Sequence, residues 1–169
     1  MIKLVKPDRK YKDELLGFKE EFLSNDEHSI PGGELLDKMD SFDEWLDYVT
    51  RNTNPSTVSR DWVVSSTFLA VMDDEVVGII CLRHELNDFL KDFGHIGYSV
   101  RPSYRRRGIA TFMLGEVLKY AQSIGLKSVQ LSSQSDNTAS LQTIGNSGGK
   151  YVRSFTYLDN SVCVFIIDL

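Results

Sequence analysis

Residues 95–111 read HIGYSVRPSYRRRGIAT. An apolar, alternating stretch (His95–Val100) runs through Pro102 into Arg105, Arg106 and Arg107, and Gly108 then opens a helical pattern. A helix N-terminus leaves several N–H donors unpaired and carries partial positive charge, so it attracts anions. Gly108 has no Cβ to hold a ligand away from the backbone, and Ala110 is nearly as small. Cationic side chains and backbone N–H groups thus converge on one point, a combination suited to a pyrophosphate.

Working outward, the helix after Gly108 carries Phe112, Met113, Val117, Leu118 and Ala121, and Gly125 closes it. Ser128–Ser132 reads as a short strand, Asn137–Ser147 as a helix ended by Gly148-Gly149, and Tyr151–Leu158 with Val162–Leu169 as a hairpin turning at Asp159-Asn160. Upstream, Thr67–Met72 and Val76–Leu82 flank Asp73-Asp74-Glu75 as another hairpin. Ile2–Lys6 reads as a strand. Tyr11, Leu15, Phe18 and Phe22 give a helix over Lys10–Ser24, and Ser41-x-x-Glu44 caps a second one bearing Phe42, Trp45, Leu46 and Val49. Asn25–Asp40 and Asn52–Arg60 lack a period; the first reads as a loop and the second as a mobile loop. The order is strand, two helices, three strands, helix, strand, helix, hairpin, which on pattern alone predicts a mixed α/β domain.

A chain of 169 residues with 41% apolar content suits one globular domain, residues 1–169. No run approaches the roughly 18 apolar residues of a membrane span, and MIKLVKPDRK has no signal-peptide core, so a cytoplasmic protein without a membrane partner is expected. Cys81 and Cys163 lie in strand-like stretches and read as free thiols. His28, His84 and His95 have no partners at ligand spacing, so no metal is expected. The net charge of −5 is uneven: residues 10–50 hold twelve acids and four lysines, whereas residues 101–107 hold four arginines and no acid. A distributed basic face, a Gly-Lys-Ser/Thr loop and Gly-x-Gly-x-x-Gly are all missing, which argues against nucleic-acid and nucleotide binding.

The Arg105-x-x-Gly108-x-Ala110 run resembles the Arg/Gln-x-x-Gly-x-Gly/Ala signature of the GCN5-related N-acetyltransferase (GNAT) family, whose loop grips the pyrophosphate of coenzyme A. Asn137-x-x-Ser140 followed by Gly148-Gly149 is similar to the family's second cofactor-side helix. Arg83-His84-x-Leu86-Asn87 with Gly94-His95-Ile96-Gly97-Tyr98 resembles a branch known as predicted acetyltransferases. The resemblance implies a single-domain fold with a mixed, mostly antiparallel central sheet, a splayed strand pair and flanking helices. It implies acetyl-CoA as cofactor, held by Ser99, Val100, Arg105, Arg106, Arg107, Gly108, Ile109, Ala110, Thr111, Asn137 and Ser140. The Val100 amide would be the oxyanion donor. The partner would be an amine-bearing acceptor, and the enzyme a monomer or homodimer.

An amine with pKa near 10.4 is only about 0.1% neutral at pH 7, so a general base helps. His84, Glu85 and His95 are the nearest candidates by position, with Glu34 added if the first loop folds over the cleft. His84 is the preferred one because imidazole titrates in the useful range. Asn87 would orient either that histidine or a substrate amide. Many family members place a thiolate-protonating tyrosine seven residues after the helix asparagine; here that residue is Ile144. Tyr98, Ser140, Thr143, a water or unassisted departure are the replacements. Gly148-Gly149, where the family has Gly-Phe, would leave more room near the acyl end. Two readings compete: an acetyl-CoA-dependent N-acetyltransferase and a non-catalytic acyl-CoA-binding or sensor module. The acidic 10–50 segment, Glu34 in particular, would favour a cationic acceptor.

Overall fold

The computed structural model describes residues 1–169. Strands β1 (Ile2–Val5), β2 (Ser65–Met72), β3 (Glu75–Arg83) and β4 (Ile96–Val100) form one sheet in the order β1-β2-β3-β4. β2 and β3 read as nearly unbroken apolar runs because both faces of the sheet are covered. On one face lie α1 (Lys12–Ser24) and α2 (Phe42–Arg51), whose Leu15, Phe18, Phe22, Trp45 and Val49 pack on Leu69, Val71 and Ile79. On the other lie α4 (Ile109–Ser123) and α5 (Thr138–Asn146), packing Met113, Leu114, Val117 and Ile144 against Ile80 and Leu82. Each fully buried side chain of this size contributes roughly 1.5–3 kcal/mol. Asp73 and Asp74 both take positive φ, as the tight β2–β3 turn requires.

A second sheet has the order β5-β7-β6, with β5 (Ser128–Gln134), β6 (Lys150–Tyr157) and β7 (Asn160–Asp168). All ladders are antiparallel. The expected splay therefore separates two sheets, between β4 and β5. They stay joined at one end: His95 N–H donates to Gln130 C=O at 2.7 Å, and Gln130 N–H donates to His95 Nδ1 at 2.9 Å. No helix is long and apolar enough to cross a membrane.

Several local expectations change. A one-turn helix, α3 (Leu90–Phe93), precedes β4; four residues are too few to show a period. Asn87 Oδ1 accepts the Leu90 N–H at 2.8 Å, so Asn87 stabilises this turn, and the hydrogen bonds of His84 and His95 go to other residues. Residues 52–60 are pinned around buried Asn52, whose carbonyl takes Ser65 N–H and whose Oδ1 takes Ser59 N–H. The last hairpin turns at Leu158-Asp159, both at positive φ. Cys81 is buried and Cys163 half-buried, both unbridged.

Candidate active site

The gap between the sheets is set by the hydrogen-bond phase of β4. Arg83 N–H donates to His95 C=O at one end of the β3–β4 ladder, and Arg101 N–H donates to Val77 C=O at the other. Odd-numbered residues of β4 therefore bond to β3, and Ile96, Tyr98 and Val100 turn their backbone groups away from it. The Val100 carbonyl accepts Arg105 Nε at 3.0 Å, while its N–H has no partner. Ser99 is on the other phase. Its backbone faces β3 and its buried hydroxyl donates to Pro31 C=O at 2.7 Å, which takes it out of the set available to a cofactor.

Beyond Val100, the N–H groups of Ile109, Ala110 and Thr111 open α4 with neither a backbone partner nor a side-chain cap. Gly108 sits just before them at φ +77°, a left-handed conformation that glycine adopts without cost, and no atom occupies the space its Cβ would take. The three arginines divide. Arg105 makes a two-pronged ion pair with Glu27 (2.9 Å for both contacts), lies over the Phe22 ring and bonds to Val100 C=O. Arg106 and Arg107 make no ion pair; Arg107 lies over the Tyr104 ring at 4.9 Å. The free cationic charge is therefore at Arg106 and Arg107, while Arg105 ties the loop to the N-terminal segment. These residues fit a pyrophosphate: open space above a glycine, a row of unclaimed N–H groups and two uncommitted guanidinium groups.

Across the gap, Asn137 Oδ1 accepts Ser140 N–H at 3.2 Å and caps α5, so its side chain serves its own helix. Ser140 Oγ reaches Tyr98 Oη at 2.9 Å, linking α5 to β4. Burial raises the Tyr98 pKa, opposed by hydrogen bonds to Ser140 and Thr143. The structure thus gathers the three candidate hydroxyls of Tyr98, Ser140 and Thr143. Ile144 is fully buried, and its Cγ2 fills the space a Cβ at Gly149 would need. Gly149 consequently opens no extra room.

The candidate bases are placed elsewhere or already engaged. Val100 pairs with Gly78 on β3, and His84 lies six residues further along, about 20 Å at strand rise. His84 instead bonds to Ser66 Oγ at 2.9 Å, at the opposite edge of β3. Glu85 follows it out of the strand. His95 accepts at Nδ1, which puts the proton of its neutral ring on Nε2 and leaves no free lone pair. The Pro31–Glu34 loop does fold over β4: Gly32, at φ +78°, lies against the Gly97 carbonyl where a Cβ would collide. Glu34, however, pairs with Arg83 at 2.9 Å with only 3% of its side chain exposed. It is not presented to an acceptor.

Both histidines have lowered pKa values, His84 through burial and His95 through burial and the Arg83 charge. They stay neutral in the folded chain at pH values where the unfolded chain binds protons. Stability contributed by this difference is intact above about pH 6.5 and is lost as pH falls through the lowered folded values. Denaturant midpoints are expected to drop as pH falls below about 6.5, and His84→Gln should flatten part of the slope. A flat wild-type profile would contradict neutral burial. The lowered carboxyls act further down the scale, Glu27 through its Arg105 hydrogen bond, and Glu21 because bonds from Ser103 and Arg101 outweigh burial.

A splayed strand with a free N–H, leading into a glycine-opened helix, is matched by a family model. The acetyltransferase (GNAT) family model covers residues 36–144. The chain belongs to the GNAT family of acetyltransferases. No curated protein matches it. Among solved GNAT-fold structures, an acetyltransferase of the GNAT family from Streptococcus pneumoniae has 17% identity and a TM-score of 0.74, covering 100% of this chain and 99% of that one. RimL, a ribosomal-protein alpha-N-acetyltransferase in complex with coenzyme A, has 15% identity and a TM-score of 0.74, covering 99% and 94%. The yncA protein of Salmonella typhimurium, with its cofactor acetyl-CoA, has 12% identity and a TM-score of 0.71, covering 99% and 94%. At identities this low, the TM-scores show a shared fold alone.

Proposed function

We propose that this chain is an N-acetyltransferase that moves the acetyl group of acetyl-CoA to a primary amine by direct attack in a ternary complex. The observation that carries it is the row of unclaimed N–H groups at the start of α4, beside Arg106 and Arg107 and continuous with the free Val100 N–H. Acetyl-CoA supplies an acyl thioester whose transfer leaves a thiolate. Arg106, Arg107 and the amides of Gly108–Thr111 would hold its phosphates. The Val100 N–H is preorganised as an oxyanion donor, since the β4 phase aims it into the gap. Tyr98 Oη holds a proton there, supported by Ser140. His84 and His95 are hydrogen-bonded, Glu34 is ion-paired and Glu85 lies beyond the far end of β3, so amine deprotonation falls to water. RimL and yncA, whose structures hold coenzyme A and acetyl-CoA, support the cofactor, and the ribosomal-protein substrate in RimL's name supports an amine-bearing acceptor.

Thiol release from acetyl-CoA against a panel of amines tests the reaction; binding without turnover on any amine would favour a sensor module, the reading that buried Ile144 in place of a tyrosine supports. Gly108→Val tests the cofactor site. A branched residue at φ +77° is strained and projects into the open space. Calorimetric affinity for acetyl-CoA should fall about tenfold, or about 1.4 kcal/mol. Unchanged affinity would move the pyrophosphate elsewhere.

A further inference from the structure

A cavity of about 470 Å³ lies on the far side of β3 from the GNAT cleft, at the edge of β2. It exists because β1 stops early. The β1–β2 register ends at Val5 and Leu69, and the chain leaves through Lys6 and Pro7, leaving the first half of β2 without a neighbour on that side. His84 N–H donates to Val64 C=O, which sets the β2–β3 phase so that even-numbered β2 residues bond to β3. Thr67 is therefore aimed outward. Its N–H and C=O have no partner, although the residue is only 6% exposed and lines the cavity. Buried backbone groups of this kind are almost always paired.

The walls say what would pair them. Ser66 Oγ links His84 Nε2 at 2.9 Å and Tyr120 Oη at 3.2 Å, a polar relay along one side. Val49 and Phe68 supply apolar surface. Lys6, which makes no ion pair, is the single full charge among the lining residues, with no aspartate or glutamate. Two of the last carbonyls of α2, which would favour a cation, are already claimed. Thr50 C=O takes both the N–H and the hydroxyl of Thr53, and Arg51 C=O takes the Thr57 hydroxyl.

We propose that this cavity binds an extended acylamino carboxylate with an apolar side chain, either an N-acylated amino acid or the C-terminal residue of a peptide. Its amide N–H donates to Thr67 C=O and an oxygen accepts Thr67 N–H, as two residues do in a hydrogen-bonded antiparallel pair. The carboxylate lies toward Lys6, and the side chain, on the same face of the sheet as the Thr67 side chain, packs on Val49. One unpaired residue on β2 is too little to dock a longer strand, so the charge and the apolar wall complete the recognition.

The test is an amide chemical-shift titration of the full chain with N-acetylphenylalanine, N-acetylphenylalaninamide, phenethylamine and acetyl-Ala-Ala-Phe. N-acetylphenylalanine is expected to move the Thr67, Ser66 and His84 amides saturably, with the uncharged amide about tenfold weaker. Lys6→Glu, on an exposed side chain, should weaken the acid about tenfold and leave the amide unchanged. Thr67→Pro, which removes the outward N–H and leaves the β2–β3 ladder bonds in place, should abolish binding. Binding of the tripeptide as well would identify a peptide terminus as the natural occupant; binding of the small acid alone would identify a free metabolite. The proposal is overturned if phenethylamine binds there as well as the acid, if Lys6→Glu has no effect, or if Thr67 does not shift up to about 10 mM acid. The readout is independent of acetyl transfer, so it can fail while the GNAT chemistry stands.

Discussion

Tyr98→Phe is expected to lower kcat about 100-fold, close to 2.7 kcal/mol in barrier, while affinity for acetyl-CoA holds. Ile144, which has no hydroxyl, is buried where many GNAT members carry their proton-donating tyrosine. Tyr98 approaches from β4 instead and meets Ser140 at 2.9 Å. Burial raises its pKa, so the proton stays on Oη across neutral pH and is lost only under more alkaline conditions. The wild-type rate should rise with pH as the amine loses its proton and then fall as Tyr98 ionises, and the phenylalanine variant should lack that falling limb. General acids contribute about 10²–10⁴ in rate, and the lower end is expected because a thiol with a pKa near 8.5 is a tolerable leaving group. Equal kcat in the variant and the wild type would show that the thiolate departs unassisted.

Glu34→Ala is expected to lower unfolding stability by about 3 kcal/mol, because it strips the partner from a buried guanidinium. Arg83 is 13% exposed, its Nε has no partner, and its contact to Gly94 C=O is long at 3.4 Å. The pair also fastens the Pro31–Glu34 loop to β3, beside the Trp45 Nε1 bond to Gly33 C=O at 2.8 Å. Replacing both members with apolar residues, Glu34→Leu with Arg83→Met, should recover most of the loss, since neither charge is then left buried alone. Urea unfolding of the three variants measures this. An unchanged midpoint in Glu34→Ala, with weaker capture of a cationic acceptor, would return Glu34 to a substrate role.

The same logic reassigns the acidic 10–50 segment. Glu14 and Glu21 hold Arg101, Glu27 holds Arg105, and Glu34 holds Arg83. Four of its twelve acids thus position arginines of β3 and of the loop after β4. What this leaves for an anionic ligand is Arg106 and Arg107.

Much of the molecule was legible in the chain itself. Apolar runs and alternation between turn residues located the strands, 3.6-residue spacing located α1, α2 and α4, and the coincidence of arginines, Gly108 and a helix start marked the anion site. All of these follow from local rules about backbone and burial. Partner choice across long separations was not legible. Which arginine stays free depends on Glu27 arriving from 78 residues away, and Tyr98 meets Ser140 only because α5 returns across the gap. His84 and Val100 are sixteen positions apart in the chain, yet the β3–β4 turn carries one to each end of a ladder. A sequence shows which groups are available at each position; the fold decides which are already spent on one another, and only the unspent ones can act on a ligand.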